Sequence, residues 1–579
     1  MQLALPILIL SLLSPMCWGL QIHDAIDKPI GQVMVTRLAV AGEIPRDDMG
    51  YLPAGEVGYA ATTTTLFTDD NGFVSPPEGV LRLRKPGYED VQLSAEERPE
   101  RIVMTRASEQ QRVDAATSNL WLSQVDFGSD ALKSAFQLNC AFCHQQASVF
   151  MRVERSEQQW VDVFERMNSY GARLAENYFV PLADVLRKEY ARLRTSPELI
   201  PHAEPWPAEL SDWQQTEWLI GDGFSQMHDL LLHPNGLVYV GDNLFDRIYE
   251  VDPKNGRYKV YKVPAIEGAQ PGGFLGNRFQ RFPKIDNAMG VHSFAVSPQD
   301  GNIFITPSMQ QALLEFDVKT KQFTVHKMPA GYYPHTIRVD QRDRVWFTLA
   351  VSSQVAMFDR ATGKFHLIDL PARNLKEQLI IASLPAIFSL PVDWRPQPAP
   401  DEEGTGLPMP YGIDITPDGS IWVARLYAND IARIDPDTLD VHMIDFPYRG
   451  PRRLRSDAEG KLWIVAFQDG LLVSFDPATQ RFEEYPLPVR NEIPYALNVD
   501  RERGHVWVNG NQSDSLLRFD IATTSWLRVP LPRARFFSRD VEIDAESGAI
   551  FTTNSHFPTY QSEGGSPSLL RLTPPGSQP

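Results

Sequence analysis

A sevenfold repeat constrains this chain more than any other feature. An aromatic residue recurs inside apolar runs at Tyr239, Phe304, Trp346, Trp422, Trp463, Trp507 and Phe551. Thirteen residues after each of the first six stands an aspartate: Asp252, Asp317, Asp359, Asp435, Asp476 and Asp520. The next apolar stretch then ends in a proline, at Pro264, Pro329, Pro371, Pro447, Pro488 and Pro532. A unit of about 43 residues with room for four short strands has the size of a propeller blade. The repeat therefore predicts a seven-bladed ring over residues 213–579. The last unit stops near Thr573 without an outermost strand, whereas Gln215 to Ile220, just ahead of the first unit, has the pattern of one. An open ring would leave sheet edges unpaired, so this segment is expected to complete blade seven.

Composition agrees with a β-rich globular chain: 43% apolar, 22% charged, 37 Gly and 46 Pro in 579 residues. Fifty-five basic against 73 acidic residues give a net charge of −18, which repels phosphate backbones, so no nucleic-acid partner is expected. Residues 1–19 carry no charge and an apolar run from Leu3 to Leu13, the pattern of a signal peptide. The protein is accordingly expected to be periplasmic or secreted. No transmembrane helix is expected after signal removal, since the apolar segment Leu379 to Val392 is short and holds Pro385 and Pro391.

Signal removal leaves two cysteines, in Cys140-Ala141-Phe142-Cys143-His144. This C-x-x-C-H spacing lets two thioether bonds fix one haem c while the adjacent imidazole reaches its iron. A zinc knuckle would need a second ligand pair nearby, and a thioredoxin-like pair a βαβ surround. Apolar spacing of three and four over 131–139, 158–167 and 182–193 predicts three helices around the motif. The run Trp160 to Ala172 resembles the short class of c-type cytochrome domains, in which a Met at this place completes the iron's coordination. The resemblance implies His144 and Met167 as the two metal ligands, with Met151 and His202 as the alternatives to Met167.

Residues 20–110 alternate apolar and polar over short stretches, as in a small β-sandwich. Phe67-Thr68-Asp69-Asp70-Asn71-Gly72 and Arg84-Lys85-Pro86-Gly87-Tyr88 resemble the carboxypeptidase-regulatory-like domain, which implies a spacer or docking role. Pro334-His335-Thr336-Ile337 with Val345-Trp346-Phe347-Thr348, and Pro410-Tyr411-Gly412-Ile413 with Ile421-Trp422-Val423, resemble the virginiamycin B lyase (streptogramin lyase) propeller across about 213–579. That family implies a metal-assisted ring-opening elimination, using a His at the start of an inner strand and a metal-binding Glu fourteen residues later. The nearest pair here is His228 with Asp242, the shorter acid.

Eleven or twelve residues before each aromatic anchor, the inner strands begin with His228, His292, His335, Tyr411, Arg452, Tyr495 and Arg539. Ring symmetry brings these seven to one mouth, where a hydrated funnel is expected. Imidazoles suit proton transfer or a second metal ion; phenols and guanidiniums suit substrate binding. His228, His292, His335 and Asp242 are thus the catalytic candidates, and Tyr411, Arg452, Tyr495 and Arg539 the substrate-binding ones. Two long insertions, from Pro264 to His292 and from Pro371 to Tyr411, are expected to roof this face or dock the haem domain.

The fold class expected is mainly β: a seven-bladed β-propeller (213–579) preceded by a small β-sandwich (20–110), an α-helical cytochrome c domain (111–194) and a linker (195–212). The function read from it is electron transfer through the haem, coupled to a redox reaction or ligand binding at the mouth. The partners would be an electron-transfer protein or quinone-linked enzyme and a small-molecule substrate. Two other readings stand beside it: a streptogramin-lyase-like metal-assisted lyase with the cytochrome as regulator, and a non-catalytic redox-linked binding protein.

Overall fold

The computed structural model describes residues 18–39, 57–280, 284–391, 394–395 and 407–577. The expected signal peptide lies outside the described residues except for its last two positions. Seven antiparallel sheets form the ring, from blade one (Met227–Leu232, Val238–Asp242, Arg247–Val251, Arg257–Lys262) to blade seven (Val541–Ile543, Ile550–Asn554, Ser568–Thr573).

Both repeat marks have a physical cause. Each aromatic anchor is buried in the seam with the following blade: Trp346 packs on Ile413, Ile421 and Val423, Trp463 on Leu497 and Val506, and Phe551 returns to Leu230 and Val238 of blade one. Truncating such a tryptophan to alanine costs roughly 3–5 kcal/mol. The recurrent aspartates end the third strands and fold the next turn through their own side chains. Asp317 Oδ1 accepts from the Lys319 and Thr320 amides, and Asp435 Oδ1 from those of Asp437 and Thr438.

The ring closes as the sequence predicts. Gln214–Leu219 pairs with Ser568–Thr573, Ser568 opposite Leu219 and Thr573 opposite Gln214. The buried Glu217 carboxylate meets Arg533 at 2.6 Å across this closure. The sheet does not end there, because Ala61–Phe67 of the N-terminal module adds to the free side of Gln214–Leu219. Met34–Arg37, Leu81–Arg84 and Val91–Leu93 extend it to eight strands. A second small sheet, with Leu20–His23 between Phe73–Val74 and Arg101–Val103, packs over the first on Ile22, Val33, Val35, Leu81 and Leu83. The N-terminal sandwich is therefore one face of blade seven's own sheet, and Val57–Tyr59 also edges blade one. Gly72 marks the tight turn: at φ 74° a Cβ there would lie 2.4 Å from the Ile22 carbonyl.

Five helices form the middle module: α1 (Glu109–Ala115), α2 (Ser118–Leu122), α3 (Asp130–Cys140), α4 (Glu157–Tyr170) and α5 (Phe179–Thr195). Ser129 caps α3 through the Leu132 amide, Ser156 and Gln159 form a capping box on α4, and Gly171 ends α4 in the left-handed conformation. Trp121, Phe136, Trp160, Phe164, Leu186 and Tyr190 share one core. The second insertion holds α6 (Leu375–Ser389), with Asn374 capping the Glu377 amide and Pro385 inside. Among the described residues no helix is long and apolar enough to cross a membrane.

Candidate functional site

The seven inner-strand residues do converge, and β-bulges aim them. Pairing of the first two strands slips between Met227 and Leu230, Val291 and Phe294, Pro334 and Ile337, Pro410 and Gly412, and Pro451 and Leu454. Each slip holds a ring residue: His228, His292, His335, Tyr411 and Arg452. A bulge frees a residue from the ladder and redirects its side chain, here towards the axis. In blades two to five the residue two places earlier has left-handed backbone, at Gly290, Tyr333, Met409 and Gly450. For Tyr333 and Met409, which carry Cβ atoms, this is a strained conformation held at the site.

The seven side chains touch in blade order. Ring centroids lie 3.8 Å apart for His228 and His292, 3.9 Å for His292 and His335, and 3.9 Å for His335 and Tyr411. Arg452 Nη2 donates to the Tyr411 hydroxyl at 2.7 Å, Tyr411 and Tyr495 share a hydrogen bond of 2.8 Å, and Arg539 Nη1 donates to Tyr495 at 2.8 Å. Beneath them, His228 Nδ1 donates to Asp229 at 2.8 Å, and Arg453 from the opposite side of the ring reaches the same carboxylate at 3.0 Å. In blades one and five the bulge frees two consecutive residues, so Asp229 and Arg453 belong to the site although the repeat alone did not single them out.

Charge follows from this packing. Burial drives His228 down to about 4, and His292 and His335 well below their ordinary value, so all three are neutral imidazoles. Burial opposes ionisation of Tyr495, but the Arg452 and Arg539 guanidiniums outweigh it and hold this phenol below its usual range. Burial raises Tyr411 well above that range. Burial also opposes the charge on Asp229, and Arg453 and His228 overcome it. The ring thus pairs three neutral imidazoles with an acidified phenol between two cations. His228, Asp229 and His292 offer ligand atoms within 4.8 Å of one another and could hold a metal ion. Asp242 instead accepts from the Gln226 and Leu244 amides, and the acid on His228 is Asp229.

The mouth is covered, which corrects the expectation of a hydrated funnel: His228, His292, His335, Arg452 and Arg539 are all buried. The cover is the C-x-x-C-H loop. Phe142, between the two cysteines, lies over the Arg452 guanidinium at 4.1 Å and beside Phe467 at 5.4 Å. Gln145 Nε2 donates to Asp514 at 2.6 Å, the Gln146 amide to Gln512 at 3.1 Å, and the Phe557 amide to the Cys143 carbonyl at 3.1 Å. The first insertion also docks the helical module, with Phe279 stacked 5.2 Å from Tyr170; the second meets the first through Phe388 and Phe274 at 5.1 Å.

Cys140 closes α3, with Cys143 and His144 in the turn that follows; neither thiol is in a disulfide. Burial pushes the Cys140 thiol up to about 12, unlike the low-pKa nucleophile of a thiol–disulfide enzyme. His144 Nδ1 donates to the Gln145 carbonyl at 2.9 Å, leaving Nε2 as a lone-pair donor. Its ring neighbour is His556, 5.8 Å away between centroids. Met167 is half-buried on α4, Met151 packs on the module's core, and His202 is exposed. Among the described residues, His556 Nε2, Arg539 Nε and Nη2, Arg452 Nε and Nη1, and His292 Nδ1 are buried without a hydrogen-bond partner. Unsatisfied buried polar atoms of this kind are costly, and their concentration here marks a place for a bound polar group. Two thiols, an imidazole with a free Nε2 and cations facing them fit a covalent haem.

No protein-family model matches the chain, nor does any curated protein. Solved structures it is similar to include a streptogramin B lyase structure, at 16% identity and TM-score 0.47, covering 62% of this chain and 98% of that one. Virginiamycin B lyase from Staphylococcus aureus in selenomethionine-substituted form is similar at 14% identity and TM-score 0.47, covering 62% and 99%. A catalytically inactive variant of that lyase, with quinupristin, gives the same figures. The propeller itself is assigned from the strand pairing above.

Proposed function

We propose that the protein is an exported electron-transfer protein in which one haem, bonded to Cys140 and Cys143 and ligated by His144, serves a redox reaction or ligand-binding event at the propeller ring. The observation that carries this reading is the seat of Phe142 on Arg452, which makes the C-x-x-C-H loop and the ring one site. Haem, when bound, supplies one-electron chemistry. The chain's residues would do the rest: the thiols would hold the group, His144 Nε2 would bind its iron, and Arg539 and Arg452 would offer N–H donors to an anionic group or substrate. Tyr495, the more acidic phenol, is the proton-handling group of the ring, and it shares a hydrogen bond with Tyr411. His228, His292 and His335 complete the ring, the first two with Asp229 as the place for a second metal. Met167 is the sixth ligand that the cytochrome resemblance implies. A partner protein or quinone-linked enzyme would exchange electrons with it outside the cytoplasm.

The metal-assisted lyase reading keeps one observation of its own, the His228–Asp229–His292 cluster, with Asp229 in the role expected of Asp242. The experiment is to mature the full chain in a host that assembles c-type haem and measure covalent haem and bound metal together. Haem, with reduction that responds to Arg539→Ala or Tyr495→Phe, is expected; a chain without haem but with a tight divalent metal would favour the lyase.

A further inference from the structure

The connection between the second and third strands of a blade is four residues in blades one to six, for example 350–353, 426–429 and 511–514. In blade seven it is 555–567. This one enlarged hairpin carries His556 and meets the C-x-x-C-H loop through Phe557. Its position is fixed from three sides. The Phe557 amide donates to the Cys143 carbonyl at 3.1 Å, Thr559 Oγ1 donates to the Ser225 carbonyl at 2.7 Å, and Glu563 binds Arg84 of the N-terminal module at 2.9 Å.

The two imidazoles are prepared alike. His556 Nδ1 faces the Pro558 carbonyl at 3.3 Å, as His144 Nδ1 faces that of Gln145 at 2.9 Å. A carbonyl can only accept, so in both rings the proton sits on Nδ1 and the Nε2 lone pair is free. Metal-bound histidines are oriented by this kind of second contact. His556 is fully buried, yet its Nε2 has no partner among the described residues. Two imidazoles on opposite sides of one metal, each with a bond of about 2 Å, have centroids roughly 6 Å apart; here they are 5.8 Å apart. The histidines of the ring, at 3.8 and 3.9 Å, are too close for an ion to lie between their faces.

We infer that His556 of the propeller, rather than Met167 of the helical module, is the second axial ligand of the haem bound at Cys140 and Cys143. This rests on the haem reading above. The haem would then be a tie between two modules, and its iron would be closed to small molecules while His556 stays in place.

The test is absorption and electron paramagnetic resonance of the matured full-length chain and of His556→Ala, His556→Met and Met167→Ala. The unmodified protein is expected to be low-spin without the red thioether charge-transfer band of the ferric state. His556→Ala should keep covalent haem but become high-spin, with added imidazole restoring the low-spin spectrum. His556→Met, which fills the same space, should gain the thioether band, and Met167→Ala should change nothing. A thioether band in the unmodified protein that Met167→Ala removes overturns the inference, as does a low-spin spectrum unmoved by both His556 variants. In either case haem is present and only the inference fails. A chain that acquires no haem overturns the inference together with the reading beneath it.

Discussion

The protein holds two groups of imidazoles, and they are built differently. His228, His292 and His335 come from equivalent bulges of three consecutive blades, lie face against face at 3.8–3.9 Å, and belong to a hydrogen-bonded ring. His144 and His556 come from different modules and stand 5.8 Å apart; His144 Nδ1 bonds the Gln145 carbonyl, and His556 Nε2 has no partner among the described residues. The first group is what symmetry gives: seven copies of one strand start meeting at an axis. The second arises where symmetry is broken, at a loop enlarged in one blade and a motif inserted ahead of the ring. A repeat supplies the scaffold, and a departure from it brings the second pair together.

The comparison breaks most visibly at the cysteines. Cys140→Ala with Cys143→Ala should abolish covalent haem altogether, read by mass, while the thermal unfolding of the propeller persists, because the ring's contacts do not need the thiols. Next in size is Arg453→Ala. It leaves the Asp229 carboxylate buried without its cation, which costs roughly 3–5 kcal/mol, measured by denaturant unfolding; a cost below 1 kcal/mol would mean that the ring does not rely on this pair.

The third test addresses the loop that carries His556. Burial opposes the charge on Glu563, but Arg84 and Arg82 of the N-terminal module and the Ala534 amide hold it down to about 2. A carboxyl depressed when folded adds stability above its unfolded value of about 4.5, and the gain disappears as pH falls from there towards 2. Glu563→Gln should remove roughly 2 kcal/mol at neutral pH, allowing for partial exposure, and flatten the acid limb of the stability curve. An unchanged acid limb would detach the loop from this anchor. The smallest effect expected is that of His335→Ala, about 1–2 kcal/mol, from the lost Nδ1 hydrogen bond to the Tyr411 carbonyl at 3.1 Å and the packing between His292 and Tyr411. A hydrated residue would cost nothing.

The blades were legible in the sequence because their marks are local necessities: an aromatic to fill each seam, an aspartate to fold each turn. The ring residues were legible for the same reason, since they hold one register position. Asp229 and Arg453 were not, because a bulge abandons strand alternation and turns two neighbours the same way. The closing strand was found by its missing partner, but its pairing with Ala61–Phe67 was not, since sheet edges carry no pattern that names their neighbour. Burial of the mouth escaped because it depends on Phe142, some three hundred residues before Arg452. His556 left one signal unread: the stretch after Phe551 has no aspartate at the repeat distance, where residue 564 is glycine, as expected if the hairpin is enlarged. Helix α6 was not assigned from the sequence, although Asn374 followed by Glu377 is a cap pattern.

The central claim is that the C-x-x-C-H loop and the propeller face enclose one covalent haem. Intact mass of the full chain, matured where c-type haem is attached and then treated with a thiol-alkylating reagent, tests it most directly. The account predicts a mass raised by one haem with no alkylation at Cys140 or Cys143. An unmodified chain whose two thiols both alkylate would contradict it.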